Sequence, residues 1–182
     1  MIAVTGCDVE STQTPNAGTG SGPTATSRPS VSTTRTAIRP STGTVETARV
    51  VRVVDGDTLV VELNGREERL RYIGVDTPET VRQDSPVECF GKEASQENAR
   101  LVEGQTVELE KDISERDRFD RLLRYVYVTD PATGERLFVN LELVARGFAN
   151  VSTFPPDVRH EAEYRAAERE AREAGRGLWG TC

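Results

Sequence analysis

Two short acidic segments carry the residues best suited to chemistry: Val54-Asp55-Gly56-Asp57-Thr58 and Val75-Asp76-Thr77-Pro78-Glu79, with Arg71 between them. Carboxylates without sulfur or imidazole beside them are hard oxygen donors, and such donors suit calcium or magnesium. Taken singly, each segment has an ordinary explanation, since Asp-Gly-Asp is a common turn and Asp-Thr-Pro-Glu a common capping arrangement. The chain has one histidine, His160, which falls on the apolar face of the last expected helix and is expected to pack there. A His-ligated zinc site and a Ser/His/Asp triad therefore have no material to work with. Among the 23 basic residues only Lys92 and Lys111 are lysines. The cationic chemistry thus rests on guanidinium groups, which make forked contacts with phosphate oxygens, although a genome biased toward arginine codons explains most of them equally well.

These residues need elements to hold them. Residues 47–54 are rich in β-branched side chains and run into the Asp55-Gly56-Asp57 turn, a strand followed by a reversal. A second strand at 58–63 leads to Asn64-Gly65, the strongest short hairpin signal. A third, 67–74, sets Leu70 and Tyr72 in alternation with Arg69 and Arg71. An up-down-up meander of this kind brings the loop after the third strand beside the first turn, so carboxylates from two loops converge. A polar loop covers 76–90, and a helix is expected over Gly91–Glu103, closed by Gly104. Strands follow at 105–110 and 122–128, then helices over Leu137–Arg146 and from an Asp157 N-cap to Ala174. Three strands, a helix, two strands and two helices is the order of an α+β fold, mainly β: a five-stranded OB-fold Greek-key barrel with three packed α-helices.

Composition divides the chain near residue 45. Residues 1–45 are dominated by Ser, Thr, Pro and Gly, lack apolar periodicity and read as a disordered stalk; residues 46–182 read as the folded domain. The formal charge is −7. Asp8 and Glu10 against Arg28, Arg35 and Arg39 give the stalk +1 and leave −8 for the domain. Such a balance argues against nucleic acid on composition alone, so any phosphate site has to be local. Val4-Thr5-Gly6-Cys7 resembles a lipobox whose cysteine is lipidated, without the basic start and long apolar run of a complete signal. If Cys7 carries lipid, Cys89 and Cys182 remain as a pair for a disulfide in an oxidising compartment or as two free thiols. The expected location is extracellular, secreted or held at the outer face of the cell membrane through Cys7 alone.

Val-Asp-Gly-Asp-Thr at 54–58, Arg71 five residues before Asp76, Gly91-Lys-Glu-Ala-Ser95, Asp117-Arg-Phe-Asp-Arg-Leu and Gly177-Leu-Trp179 come in the order seen in the thermonuclease, or staphylococcal nuclease-like, family. The resemblance spans nearly the whole domain. It implies a calcium-dependent phosphodiesterase, a monomer acting on single- and double-stranded DNA and RNA. It further implies Asp57, Asp76 and the carbonyl of Thr77 as ligands of Ca2+, with Asp55 acting nearby through water. Arg71 and Arg121 would grip the scissile phosphate, Glu79 would serve as general base or water-positioner, and Arg118 and Phe119 would touch the substrate. Phe119 stands near where the family prototype has a tyrosine, and Asp120 where a glycine usually precedes the arginine. Weaker nucleotide binding is the expectation from Phe119, whereas Asp120 either reduces affinity by its charge or points away to cap the turn. The alternative is a catalytically weak or inactive binding module of the same fold displayed at the cell surface, but such a module has no need of all five of Asp57, Arg71, Asp76, Glu79 and Arg121.

Overall fold

The computed structural model describes residues 45–80 and 86–182. The stalk with Cys7 and positions 81–85 of the expected 76–90 loop lie outside the described residues. In chain order the elements are β1 (Val45–Asp55), β2 (Thr58–Leu63), β3 (Arg66–Tyr72), β4 (Val75–Asp76), α1 (Gly91–Val102), β5 (Thr106–Glu110), β6 (Leu122–Thr129), β7 (Arg136–Phe138), α2 (Val139–Ala145), β8 (Asn150–Val151), α3 (Glu161–Glu173) and α4 (Leu178–Thr181).

The sheet runs β3-β2-β1-β5-β6-β7, and a parallel pairing of β3 with β6 closes the first five of these strands into a barrel. Alternation decides what fills it. Val50, Leu59, Val61, Leu70, Leu109 and Val126 are fully buried inside, while Arg52, Arg69 and Arg71 take the intervening outward positions of β1 and β3. The Asn64-Gly65 turn is the expected two-residue hairpin, with φ of 54° and 76°. That geometry is type I′, which costs glycine nothing and asparagine little. The helices pack outside: α1 against β1, and α2 against β6, α1 and α3. On α1 the buried positions are Gly91, Ala94, Asn98 and Val102, three or four apart and on one face.

Three expectations shift. The helix anticipated from Leu137 begins only at Val139, because Arg136–Phe138 extend the sheet as β7 and Phe138 stacks on Tyr127 with centroids 4.6 Å apart. Apolar residues at 137–138 suit either state, and an open sheet edge settles the choice. Asp157 is not the N-cap of α3, which starts at Glu161 after His160. Its Oδ1 instead accepts the N–H groups of Ile113 and Ser114, at 2.9 and 2.7 Å, and so serves a distant loop. The same helix, expected to run to Ala174, ends at Glu173 with Ala174 as its exposed C-cap. His160 packs as expected, edge-on to Tyr125 and Phe138 at 4.6 and 4.9 Å.

The cysteine sulfurs of Cys89 and Cys182 meet across 93 residues, with Cα atoms 6.1 Å apart, a spacing that suits a disulfide. No helix among the described residues is long and apolar enough to cross a membrane.

Candidate active site

The β1–β2 turn buries Asp57 to 1% exposure and leaves both of its oxygens engaged. Oδ1 accepts the Thr58 hydroxyl at 3.0 Å and Arg71 Nη1 at 2.5 Å. Oδ2 accepts the Thr77 N–H at 2.8 Å and its hydroxyl at 3.1 Å. Burial pushes the Asp57 carboxyl above the usual aspartate range, while the Arg71 guanidinium and the Thr77 N–H pull it back. Gly56 allows the second loop to come this close, since a Cβ there would lie 2.6 Å from Thr77 Oγ1.

Arg71 is the bridge between the two acidic segments. Its Nη2 reaches Asp76 Oδ1 at 2.5 Å while its Nη1 holds Asp57, so one fork spans both carboxylates. Asp76, more than half exposed, lies on β4, whose pairing with β8 fixes its place through Asn150. Asp55 ties down the chain just beyond: Oδ1 accepts the Thr80 hydroxyl at 2.9 Å and the N–H of Gly56 at 2.9 Å. Asp55 therefore acts in this structure as the anchor of the loop that bears Thr77 and Glu79. Glu79 is held by its main chain, donating to Glu88 Oε2 at 3.1 Å and accepting the Glu88 N–H at 3.0 Å.

Arg121 comes from a separate turn. Asp117 accepts the N–H groups of Phe119 and Arg121 through Oδ1, at 2.9 and 3.0 Å, and Arg121 Nε through Oδ2 at 2.7 Å. Burial works to raise the Asp117 pKa, but these donors outweigh it and hold the carboxyl below the usual range. Its contribution to the turn is present above the unfolded aspartate pKa and is lost only as pH falls through the lower folded value. Phe119 is 63% exposed, with the guanidinium groups of Arg118 and Arg121 at 4.7 and 5.3 Å from its ring centre. Asp120 turns away: its side chain is 88% exposed and 3.6 Å from Arg116 rather than aimed at Arg121. Its φ of 62° is the reason glycine suits this position. Asp120→Gly is expected to stabilise the fold by roughly 0.5–1 kcal/mol, because a left-handed residue loses its Cβ penalty and only an exposed ion pair is given up. Urea denaturation would show this as a higher midpoint, and an unchanged or lower one would contradict it.

The barrel closure brings the two arginines together. Leu70 pairs with Leu122 and Arg71 with Leu123. Arg121 thus lies level with Arg69, about 5 Å across the strands and about 7 Å along them from Arg71. Asp57 and Asp76, with the Thr77 carbonyl expected from the sequence, would present only hard oxygen donors to a cation. Among the described residues no three His, Cys, Asp or Glu side chains gather into a fuller cage. A calcium ion, which completes its shell with water and substrate oxygens, fits such an open set. The positive charge already drawn between the two carboxylates, that of Arg71, marks where a cation is favoured.

Several contributors escape a reading of the sequence. Asp117, Glu88 and Thr80 act through contacts described above. Asn98 donates to the Asp55 carbonyl at 3.2 Å and accepts the Tyr72 hydroxyl at 2.8 Å, bracing the first turn from inside α1. Phe154, 73% exposed, lies just beyond β8 on the chain leaving the side of Asp76. Asn98 carried a signal as a polar residue between Ala94 and Val102 on the packed face, and Asp117 carried one as the first residue of the Asp-Arg-Phe-Asp-Arg-Leu motif.

A family model described as Staphylococcal nuclease homologue matches residues 69–181. The thermonuclease of Staphylococcus hyicus is 38% identical over 134 residues, 74% of this chain and 76% of that protein. The thermonuclease of Staphylococcus intermedius is 37% identical over the same shares. Endonuclease YncB of Bacillus subtilis is 36% identical over 130 residues, 70% of this chain and 59% of that protein.

Proposed function

This chain belongs to the staphylococcal nuclease-like family and is a phosphodiesterase acting on nucleic acid, and from that premise we propose a calcium-dependent nuclease that cuts single- and double-stranded DNA and RNA with little sequence specificity. The observation that carries the reading is the convergence of Asp57, Asp76 and Arg71 at one place, with Arg121 brought alongside by the pairing of β3 with β6.

Calcium held by Asp57, Asp76 and the Thr77 carbonyl would polarise a phosphoryl oxygen and acidify its bound water. Around it the chain supplies the rest. Asp57 enters with its orientation already set by Thr58 and Thr77, so little reorganisation accompanies binding. Arg71, relieved of balancing both carboxylates, donates to the phosphate, and Arg121 donates from the neighbouring strand with its guanidinium held by Asp117. Both act on oxygens that gain charge as water attacks in line, so they stabilise the transition state more than the ground state. Glu79 orients that water and accepts its proton. An ordinary carboxylate is a weak base, so its share is mainly positional. Phe119, 63% exposed and beside the guanidinium groups of Arg118 and Arg121, offers an aromatic surface on which a base stacks.

One observation favours the alternative of a weak or inactive binding module: the Arg71 fork is occupied by carboxylates. Digestion of labelled single- and double-stranded DNA and of RNA by the full chain, with calcium or with chelator, separates the two readings. Cutting is expected with calcium and not with chelator, and Glu79→Gln is expected to lower kcat about 100-fold, the scale of a misplaced reacting group. No cutting of any substrate by folded protein would remove the enzymatic reading.

We also infer that residues 46–182 are the catalytic domain and 1–45 a stalk, that the chain acts extracellularly as a monomer, secreted or anchored by lipid at Cys7, and that Cys89 and Cys182 are oxidised there.

A further inference from the structure

The outward face of β1, β2 and β3 carries an arrangement that the acidic balance of the chain does not predict. Arg52 pairs with Val60 and Val60 with Arg69, so two arginines flank one apolar residue at a single register level. Continuing across the closure, Leu70 pairs with Leu122, which sets Arg121 at that same level on the next strand. Leu70 and Leu122 point into the core, so Arg69 and Arg121 share the outer face. The row is Arg52, Val60, Arg69, Arg121, crossing four neighbouring strands and ending at the arginine assigned to the scissile phosphate.

Most arginines of the described residues are neutralised nearby: Arg100 by Glu97, Arg116 by Glu68, Arg124 by Glu46 and Glu115, Arg136 by Glu108, Arg165 by Glu161. Arg52 and Arg69 are exposed, and among the described residues neither has an ion pair or a side-chain hydrogen bond. Their cross-strand neighbour is Val60, which is 3% exposed and uncharged, so neither arginine is neutralised across the strands. One level further from the site the row Arg49, Glu62, Glu67 carries two carboxylates and bounds the basic strip on that side. Arginines left unpaired on a protein of net charge −7 are positioned to meet a polyanion.

We propose that Arg52 and Arg69 form a track that holds the phosphates of a polynucleotide strand leading away from the scissile bond, resting on the nuclease reading of the same site. Three strand spacings of about 4.8 Å give a row about 14 Å long. At about 3.4 Å or more per nucleotide of one strand, that length takes about three to four nucleotides. The occupant is therefore an oligonucleotide rather than a mononucleotide, and the track adds affinity without touching the reacting phosphate.

The test compares the full chain with Arg52→Ala/Arg69→Ala. Anisotropy of a labelled 16-nucleotide single-stranded DNA, in chelator and from 50 to 200 mM salt, reads the track without cleavage. Each phosphate contact on a single strand contributes about 0.7 to the log–log salt slope, so the double variant is expected to bind more weakly at low salt with a slope smaller by about 1.4. Arg52→Lys/Arg69→Lys should restore the slope, and Arg100→Ala/Arg146→Ala, the same change of charge on α1 and just after α2, should leave it alone. In calcium, the double variant should cut a dinucleotide at the rate of the parent while its KM for the 16-mer rises. Parallel salt plots, an equal effect of the control pair, or loss of dinucleotide cutting would overturn the track. Failure of the nuclease reading shows differently, as no cutting of either substrate by the parent, while the binding comparison still decides the role of Arg52 and Arg69.

Discussion

Arg71→Ala is expected to lower kcat about 100- to 1,000-fold in saturating calcium, the loss typical of one donor aimed at charge that develops in the transition state. A second effect accompanies it. Asp57 is 1% exposed, its carboxyl is already raised by burial, and among the described residues Arg71 is the one cation within bonding distance of it. Without that guanidinium the buried carboxylate keeps only the neutral donors of Thr58 and Thr77. Breaking a fully buried pair costs about 3–5 kcal/mol, and the partial exposure of Arg71 reduces this to roughly 1–3 kcal/mol. The melting temperature in chelator should fall by more than that in calcium, because a bound cation replaces the missing charge. Arg71→Lys separates the two roles: it restores a point charge beside Asp57 without the two-armed fork, so it should recover most of the stability and little of the rate. Activity of Arg71→Ala within threefold of the parent would remove this residue from the catalytic assignment.

Arg124→Ala is expected to be the most destabilising single change on the barrel wall, by about 3 kcal/mol. The Arg124 side chain is 2% exposed and makes ion pairs with Glu46 at 2.9 Å and Glu115 at 2.5 Å. It also donates to the carbonyls of Glu115 and Leu123, at 3.2 and 2.9 Å. Truncation leaves these acceptors without their donor and opens a void the size of a guanidinium. Both glutamates are partly exposed and can rehydrate, which keeps the loss at the lower end of the range for buried pairs. The hydrogen bond from Arg124 holds the Glu115 pKa below the usual range. Its stabilisation is therefore present above the unfolded glutamate value and lost as pH falls through the lower folded value. The difference between parent and variant should shrink in acid. Urea denaturation at neutral pH checks the magnitude, and a loss below about 1 kcal/mol would show that the barrel closes without this contact.

Elements and residues differ in how far they can be read from the chain. The meander and the convergence of Asp57 with Asp76 are legible because their signals are local: β-branched runs, Asn64-Gly65 and acidic residues at strand ends. The same holds for Arg69 and Arg71, whose alternation with Leu70 and Tyr72 sets which face they take. What stays hidden depends on partners far along the chain. Arg124 looks like any residue of a strand until Glu46, from the start of β1, is found beside it. Asp157 is of the residue type that caps a helix and stands just before an amphipathic run, yet its oxygen is taken by Ile113 and Ser114. The tie between Glu79 and Glu88 is likewise a tertiary fact, with no spacing rule to announce it.

The parallel contact of β3 with β6 has a consequence for when the molecule becomes dangerous. Arg71 and Arg121 are fifty positions apart in the sequence, and nothing but that contact makes them neighbours. A chain still emerging from the ribosome, or threaded unfolded through a membrane pore, carries every catalytic side chain and none of the constellation. Cutting by this site is therefore expected to require that β3 and β6 have paired, so that an unfolded chain carries the residues without the activity.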